Sequence, residues 1–429
     1  MIEAPSKIDT SFARGKIAAS GVTLFVGAPR NDDKGKVYIF NNKEMVGGLT
    51  LLRGSQTYGN IFGLSGDTAV VISPHLPGEP SGHGGTGPSK TLSPASIDLY
   101  KRSGTEWKLA GNTETNEMNM GDEGVVVDKD FVAISSSGVN EKYPNTCINV
   151  YKISGNDVRL VKTFYPKTKT WGPLNNAYRF SGFDYRDNVC IGLWNDGLNG
   201  YKLSDKGPLR VWGNADPDSE PVLIENKQLT QAKIVNKDLI VGVTLGSLIT
   251  YVRSSSSWTK GMTINTGKFV KNAIAVSDDG TKVAVRTFLQ DSAVIMVFDV
   301  NGTTLSLKKG MHFQSPYPVS AGFAITNSEV FTGVPSFTGS KIMSRKISSL
   351  PLARYNASSG LVVEAEKDPG DGDGTTPPGG DGTTPPGGGG ITPPSVVTEP
   401  ASNTLLIAFL VVLLLCILVG VYWYTHWSK

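Results

Sequence analysis

Leu24-Phe-Val-Gly-Ala-Pro-Arg30, followed after a short polar gap by Gly35-Lys-Val-Tyr-Ile-Phe40, reads as an apolar strand ending in small residues and then a strand carrying an aromatic. The same two-part unit returns roughly every 45 to 60 residues, a period at which repeat architectures are recognised. The later copies are 65–74 with 97–101, 127–136 with 148–152, 186–194 with 200–203, 235–243 with 248–252, 277–285 with 294–298, and 327–335 with 341–343. Each unit is too small to bury a core alone, and none carries a helical period. Seven such units therefore predict an all-β head built as a radial stack of small antiparallel sheets, a seven-bladed β-propeller. Tandem sandwiches are the competing all-β arrangement.

Two hairpins repeat more closely. Tyr100-Lys-Arg-Ser-Gly-Thr-Glu-Trp107 and Tyr251-Val-Arg-Ser-Ser-Ser-Ser-Trp258 share the order Tyr-x-Arg-Ser-x-x-x-Trp. A polar turn between two aromatic-bearing strands lets the turn leave the sheet while the rings pack on its face.

Gly21-Val-Thr-Leu-Phe-Val-Gly-Ala-Pro29 with Gly35-Lys-Val-Tyr-Ile-Phe40 resembles the FG-GAP repeat of integrin alpha-chain propellers, and Ser65-Gly-Asp-Thr-Ala-Val-Val71 with Ile97 to Trp107 resembles its bacterial-type variant. The resemblance implies a propeller and a surface-protein setting. Integrin repeats can carry an Asp-rich calcium loop before the Val-Gly-Ala-Pro strand. Here that position is Ile17-Ala-Ala-Ser-Gly21, without a carboxylate, and Asn31-Asp-Asp-Lys34 follows the strand, so calcium binding is not carried over.

Composition divides the rest of the chain. After the head (1–366), Asp373-Gly-Thr-Thr-Pro-Pro-Gly-Gly380 is repeated without change as 381–388, and Ile391-Thr-Pro-Pro394 echoes it. Residues 367–403 cannot bury enough apolar area to offset their ordering entropy and are expected to be a disordered stalk. Leu405 to Trp423 is an unbroken apolar run, long enough as a helix to cross a hydrocarbon core about 30 Å thick. The expected arrangement is a membrane-spanning helix at 404–424 in the lipid bilayer, with Tyr422, Trp423, Tyr424 and Trp427 as an interfacial aromatic belt and 425–429 as a short tail. Gly360-Leu-Val-Val-Glu364 is expected to close the ring beside the N-terminal blade.

The N-terminus shows no basic region followed by an apolar stretch, so no cleavable signal peptide is expected. The span then delivers the protein as a tail anchor, with the head facing the cytosol. Lys429, the only full positive charge after the span, argues for the opposite topology, an extracellular or virion-surface head. The first topology is favoured and the second stays open. Of three cysteines, Cys416 lies in the span, and Cys147 and Cys190 are expected to be buried thiols. A net charge of +3 with both signs spread along the chain argues against nucleic acid as a partner.

Enzyme and cofactor signatures are scarce. His75, His83 and His312 have neither metal-ligand spacing nor a nucleophile context, so no catalytic residue, metal or cofactor is assigned. Ser277-Asp-Asp-Gly-Thr281 resembles a sialidase-type box, but its glycine is one place early and no Trp follows. It reads as a hairpin turn, with Asp279 and Gly280 at the positive-φ positions. The glycine-rich loop from His75 to Pro94 and Trp171, flanked by Lys167 and Lys169, are the candidate partner-binding elements, with His75 and His83 on the loop. Asn301-Gly-Thr303 and Asn356-Ala-Ser358 are glycosylation sequons that matter only for a lumenal head, and an Asn-Gly turn accounts for the first.

These readings converge on a membrane-anchored, non-catalytic interaction module that presents propeller loops to a protein or glycan. Adhesion, receptor binding and scaffolding all suit it, as does a viral envelope protein. The alternative is a glycan-active propeller enzyme such as a glycosidase, which requires a carboxylate pair with a Tyr or Arg in the central funnel.

Overall fold

A computed structural model describes residues 2–3, 12, 16–28, 35–50, 61–73, 95–115, 124–137, 146–164, 180–194, 207–212, 221–265, 268–289, 292–313, 322–334, 340–356 and 360–363. All lie within the compact unit Met1–Asp368. They form seven four-stranded antiparallel sheets and one two-stranded hairpin. Among the described residues the sole helical piece is the 3₁₀ turn Ile347–Ser349, so the head is an all-β seven-bladed propeller. No helix among them is long and apolar enough to cross a membrane, and the stalk, the 404–424 segment and its aromatic belt lie outside them.

The innermost strands of blades one to seven are Ile17–Ser20, Phe62–Ser65, Val125–Asp128, Phe180–Arg186, Gln231–Asn236, Lys268–Val276 and Phe323–Ile325. They neighbour one another in ring order around a central channel. Burial falls outward along each blade. Thr23–Ala28, second in blade one, is buried along its whole length, whereas Glu106–Thr115, outermost in blade two, alternates between exposed and half-buried. A strand sandwiched between two neighbouring blades must be apolar on both faces, which is why the second strands read as continuous hydrophobic runs.

The core is distributed rather than central: seven buried clusters each fill one blade-to-blade interface. Phe25, Val37, Phe62 and Val71 join blades one and two. Phe164, Tyr185 and Trp212 join three and four. Trp107 stands edge-on to Phe25 with ring centroids 4.9 Å apart, and Trp258 packs against the cluster between blades four and five. The paired aromatic hairpins thus serve as packing elements, as their order implies.

Three sequence expectations are corrected. Ring closure does not fall to Gly360–Val363, which pairs with Ala353–Asn356 in a hairpin lying along the outer strand of blade six. Ile2–Glu3 closes the ring instead, pairing as the outermost strand of blade seven with Lys341–Lys346. Ile2 is buried beside Ile17, Leu24 and Ile342 in the last interface, whereas Tyr355 and Val363 of the C-terminal hairpin pack against the interface between blades five and six. The third strand of blade four is Gly207–Trp212, not 200–203, which lies outside the described residues. Leu209, Val211 and Trp212 are fully buried, and that burial selects the later segment. In the turn Ser277–Thr281 only Gly280 has positive φ, +70°, because Asp279 anchors the turn through its side chain. Cys147 and Cys190 are buried thiols, and burial pushes the Cys190 thiol well above its ordinary range.

Candidate functional site

Turns joining first to second and third to fourth strands share one rim, since each blade is an antiparallel meander. They are short and rely on left-handed backbone: Asn42 and Lys43 have φ of 48° and 73°, Asp187 and Asn188 of 48° and 61°. At the opposite rim Ser73 and Ala95 mark where the His75 to Pro94 segment leaves and rejoins blade two. His75, His83 and Trp171 lie outside the described residues. His312 is an exposed residue of the outer strand of blade six. Asn301 is exposed at the end of its strand, before Gly302 at φ +60°, as turn chemistry requires. Asn356 ends the strand Ala353–Asn356.

On the short-turn rim a cleft of about 660 Å³ runs from blade three across four and five to the outer turn of blade six. Asp128, Lys129 and Phe131 come from the first, Asp187 and Asn188 from the second, Asn236, Lys237 and Asp238 from the third, and Gly302 and Thr303 from the last. Its walls are hydrogen-bonded across blades. Asp187 N donates to Asp128 Oδ2 (2.8 Å), Lys129 Nζ to Asp187 Oδ1 (2.8 Å) and Asn236 Nδ2 to Gly302 O (2.9 Å). Burial raises the Asp128 carboxyl above its usual range against the opposing Asp187 amide bond. The Lys129 ammonium is raised by its bond to Asp187. Among the described residues no group of three His, Cys, Asp or Glu can hold a metal ion.

A second feature occupies the axis. Among the described residues no further strand pairs the inner edge of the innermost strands, and buried backbone groups need partners. Side chains from other blades supply partners for several of these groups and for backbone groups of the adjoining turns. Asp184 Oδ2 accepts from Ile234 N (2.8 Å), and Gln231 Oε1 from Ile274 N (2.8 Å). Lys16 Nζ donates to Val125 O (2.6 Å), two blades away. Arg186 donates to the carbonyls of Val235 (3.1 Å), Ser277 (2.8 Å) and Asp278 (2.8 Å). Gly66 N donates to Ser20 Oγ (2.9 Å), with Asp278 Oδ2 at 3.5 Å. Burial raises the Asp278 carboxyl, opposed by its bonds from Ser20 and Gly66. Sequence reading singled out none of these residues for the axis. The one available signal is a charge inside an apolar strand, as in Phe183-Asp184-Tyr185.

Fold and rim together define a seven-bladed β-propeller with a charged cleft on its short-turn rim and a polar axis. No protein-family model matches the chain, and no curated protein matches it. The β-propeller domain of Myceliophteria thermophila Cps50 (Swd1) is 10% identical over 76% of this chain and 95% of that one, with a TM-score of 0.48. Kluyvelomyces marxianus Hsv2 is 10% identical over 83% and 97%, TM-score 0.48. A chain of the Mitotic Checkpoint Complex is 10% identical over 81% and 94%, TM-score 0.48. At these values the likenesses carry no argument about activity, and the propeller assignment rests on the seven sheets.

Proposed function

We propose that this protein is a non-catalytic interaction module whose propeller binds a protein partner at the short-turn rim. The observation that carries the reading is the open cleft shared by blades three to six, where Lys129, Lys237, Asp187 and Asp238 surround the apolar Phe131. Charges of both signs around an apolar floor suit a polypeptide segment better than a polyanion, which would meet the carboxylates. The carboxylates at the axis speak against the glycosidase reading. Asp184 is committed to Ile234 N and Lys233, and Asp278 to the turns of blades one and two, while Arg186 is spent on backbone carbonyls. A membrane anchor at 404–424 and the surface setting implied by the FG-GAP resemblance belong to the same reading: a tethered propeller whose stalk lets the head reorient. The cytosol-facing head is the favoured topology within it.

The test places a photo-crosslinking residue at Lys237 in the full-length protein expressed in its own cells, and identifies the adduct by mass spectrometry. A single protein adduct that disappears with Asp238→Lys or Lys129→Glu, both still folded, is expected. An adduct insensitive to both charge reversals would reject the cleft, and turnover of a glycan by the purified protein would reject the non-catalytic reading.

A further inference from the structure

We propose that the cleft on the short-turn rim receives a single arginine side chain of its partner polypeptide, held by the Asp238 carboxylate over the face of Phe131. The inference rests on the cleft reading above and names what the cleft recognises. The charges that line it are unequal. Asp128 Oδ2 accepts from Asp187 N at 2.8 Å, and Asp187 Oδ1 accepts from Lys129 Nζ at 2.8 Å, so these three residues satisfy one another across blades three and four. Asp238 is half-buried, and its carboxylate takes no hydrogen bond or ion pair among the described residues. Its backbone is nonetheless fixed. Asp238 N donates to Asn236 Oδ1 (3.0 Å), Arg253 N donates to Asp238 O (2.9 Å), and Asn236 Nδ2 donates to Gly302 O of blade six (2.9 Å). The turn therefore presents one preorganised anion to the cleft. Phe131 of blade three, half-buried with its ring centroid 6.1 Å from that of Tyr185, supplies an aromatic wall of the same cleft.

A half-buried carboxylate has lost part of its hydration, so a cation that enters beside it gains more than one meeting an exposed surface charge. Asp238 meets that condition, whereas Lys237 is exposed and keeps its own hydration. Among cationic side chains arginine suits both walls at once. Its planar guanidinium pairs with a carboxylate through two hydrogen bonds, stacks on an aromatic face and is more weakly hydrated than an ammonium. Lys129 and Lys237 line the same cleft, so a run of basic residues would meet like charge. That selects an isolated arginine over a polybasic segment.

The experiment is a selection of phage-displayed random linear peptides on the full-length protein in mild detergent, followed by fluorescence anisotropy of synthetic copies. Peptides with a single arginine are expected to dominate. Replacing that arginine by its uncharged isostere citrulline, or Asp238→Asn in the protein, should each weaken binding about tenfold or more. Combining the two should add little to either loss, because both remove the same pair. Phe131→Leu, which keeps an apolar wall and removes the ring, should narrow the preference for arginine over lysine in the peptide. A selection that enriches no arginine peptide, or losses that add in full when combined, would overturn the inference. The two readings fail separately. Peptides without arginine that still crosslink to a photo-reactive residue at position 237 would overturn this inference and leave the cleft standing, whereas arginine peptides that bind but never crosslink there would overturn both.

Discussion

Replacing Asp184 with alanine tests whether cross-blade side chains hold the inner edges of the ring. Asp184 lies 5% exposed, and Ile234, whose N–H it accepts at 2.8 Å, is 1% exposed. Without the carboxylate that amide is a buried donor with no acceptor, at a cost of about 1 to 3 kcal/mol. The ion pair with Lys233 adds less, because the Lys233 side chain is 28% exposed and solvent screening reduces such a pair to about 1 kcal/mol or under. The expected loss is then about 1 to 4 kcal/mol. With an unfolding entropy of about 2.1 cal/mol/K per residue over roughly 360 residues, that is a fall in Tm of about 1 to 5 °C. Lys233→Met leaves the Ile234 amide satisfied and should cost about 1 kcal/mol or less. Asp184→Asn keeps one acceptor and should fall between the two. Melting of the three variants and the Asp184→Ala/Lys233→Met double variant, followed by circular dichroism, separates the terms. If Asp184→Ala is no more destabilising than Lys233→Met, the amide is not what the carboxylate stabilises, and the account of the axis is wrong.

Three further outcomes follow from the same geometry. Gly280→Ala should cost about 2 to 3 kcal/mol, since φ is +70° and a Cβ would stand 2.6 Å from Val235 O, whereas Gly302→Ala, at φ +60° in open space, should cost about 1; equal melting temperatures would remove the close approach. Ile2→Asp should destabilise by about 2 to 3 kcal/mol, because Ile2 is 4% exposed in the closing interface, and an unchanged denaturation midpoint would show that the ring does not close there. In phosphate-free buffer, urea unfolding should show stability rising with pH above 7 relative to Lys16→Met. Below about 7 Lys16 is protonated in both states and contributes no slope. Between there and 10.5 the unfolded chain holds the proton that the folded chain has lost, so stability gains at most about 1.4 kcal/mol per pH unit. Parallel pH profiles for the two proteins would contradict the lowered Lys16 pKa.

The repeat was legible because each blade is a local object. Strand period, apolar second strands such as Leu24 to Ala28, and turn residues such as Gly66 and Asp187 are written within a few tens of residues of one another. Local signals also led to Trp107 and Trp258, whose hairpin contacts lie near in sequence or one blade away. They misled at blade four, where Gly200 to Leu203 imitates a third strand but the buried face belongs to Leu209, Val211 and Trp212.

What only the tertiary structure decided lies where the ring brings distant segments together. Ile2 and Gly360 to Val363 are both short apolar segments next to a repeat, and their sequences do not say which will reach blade seven; the pairing of Ile2 with Ile342 does. The candidate cleft draws its lining from segments between Asp128 and Thr303, and at the axis Lys16 meets Val125 and Asp184 meets Lys233. Alternation and turn chemistry act over a few residues and therefore specify blades from the chain alone. Curling the blades into a ring leaves one unpaired edge per blade at a shared axis, and which side chains satisfy those edges depends on a convergence that no local pattern encodes.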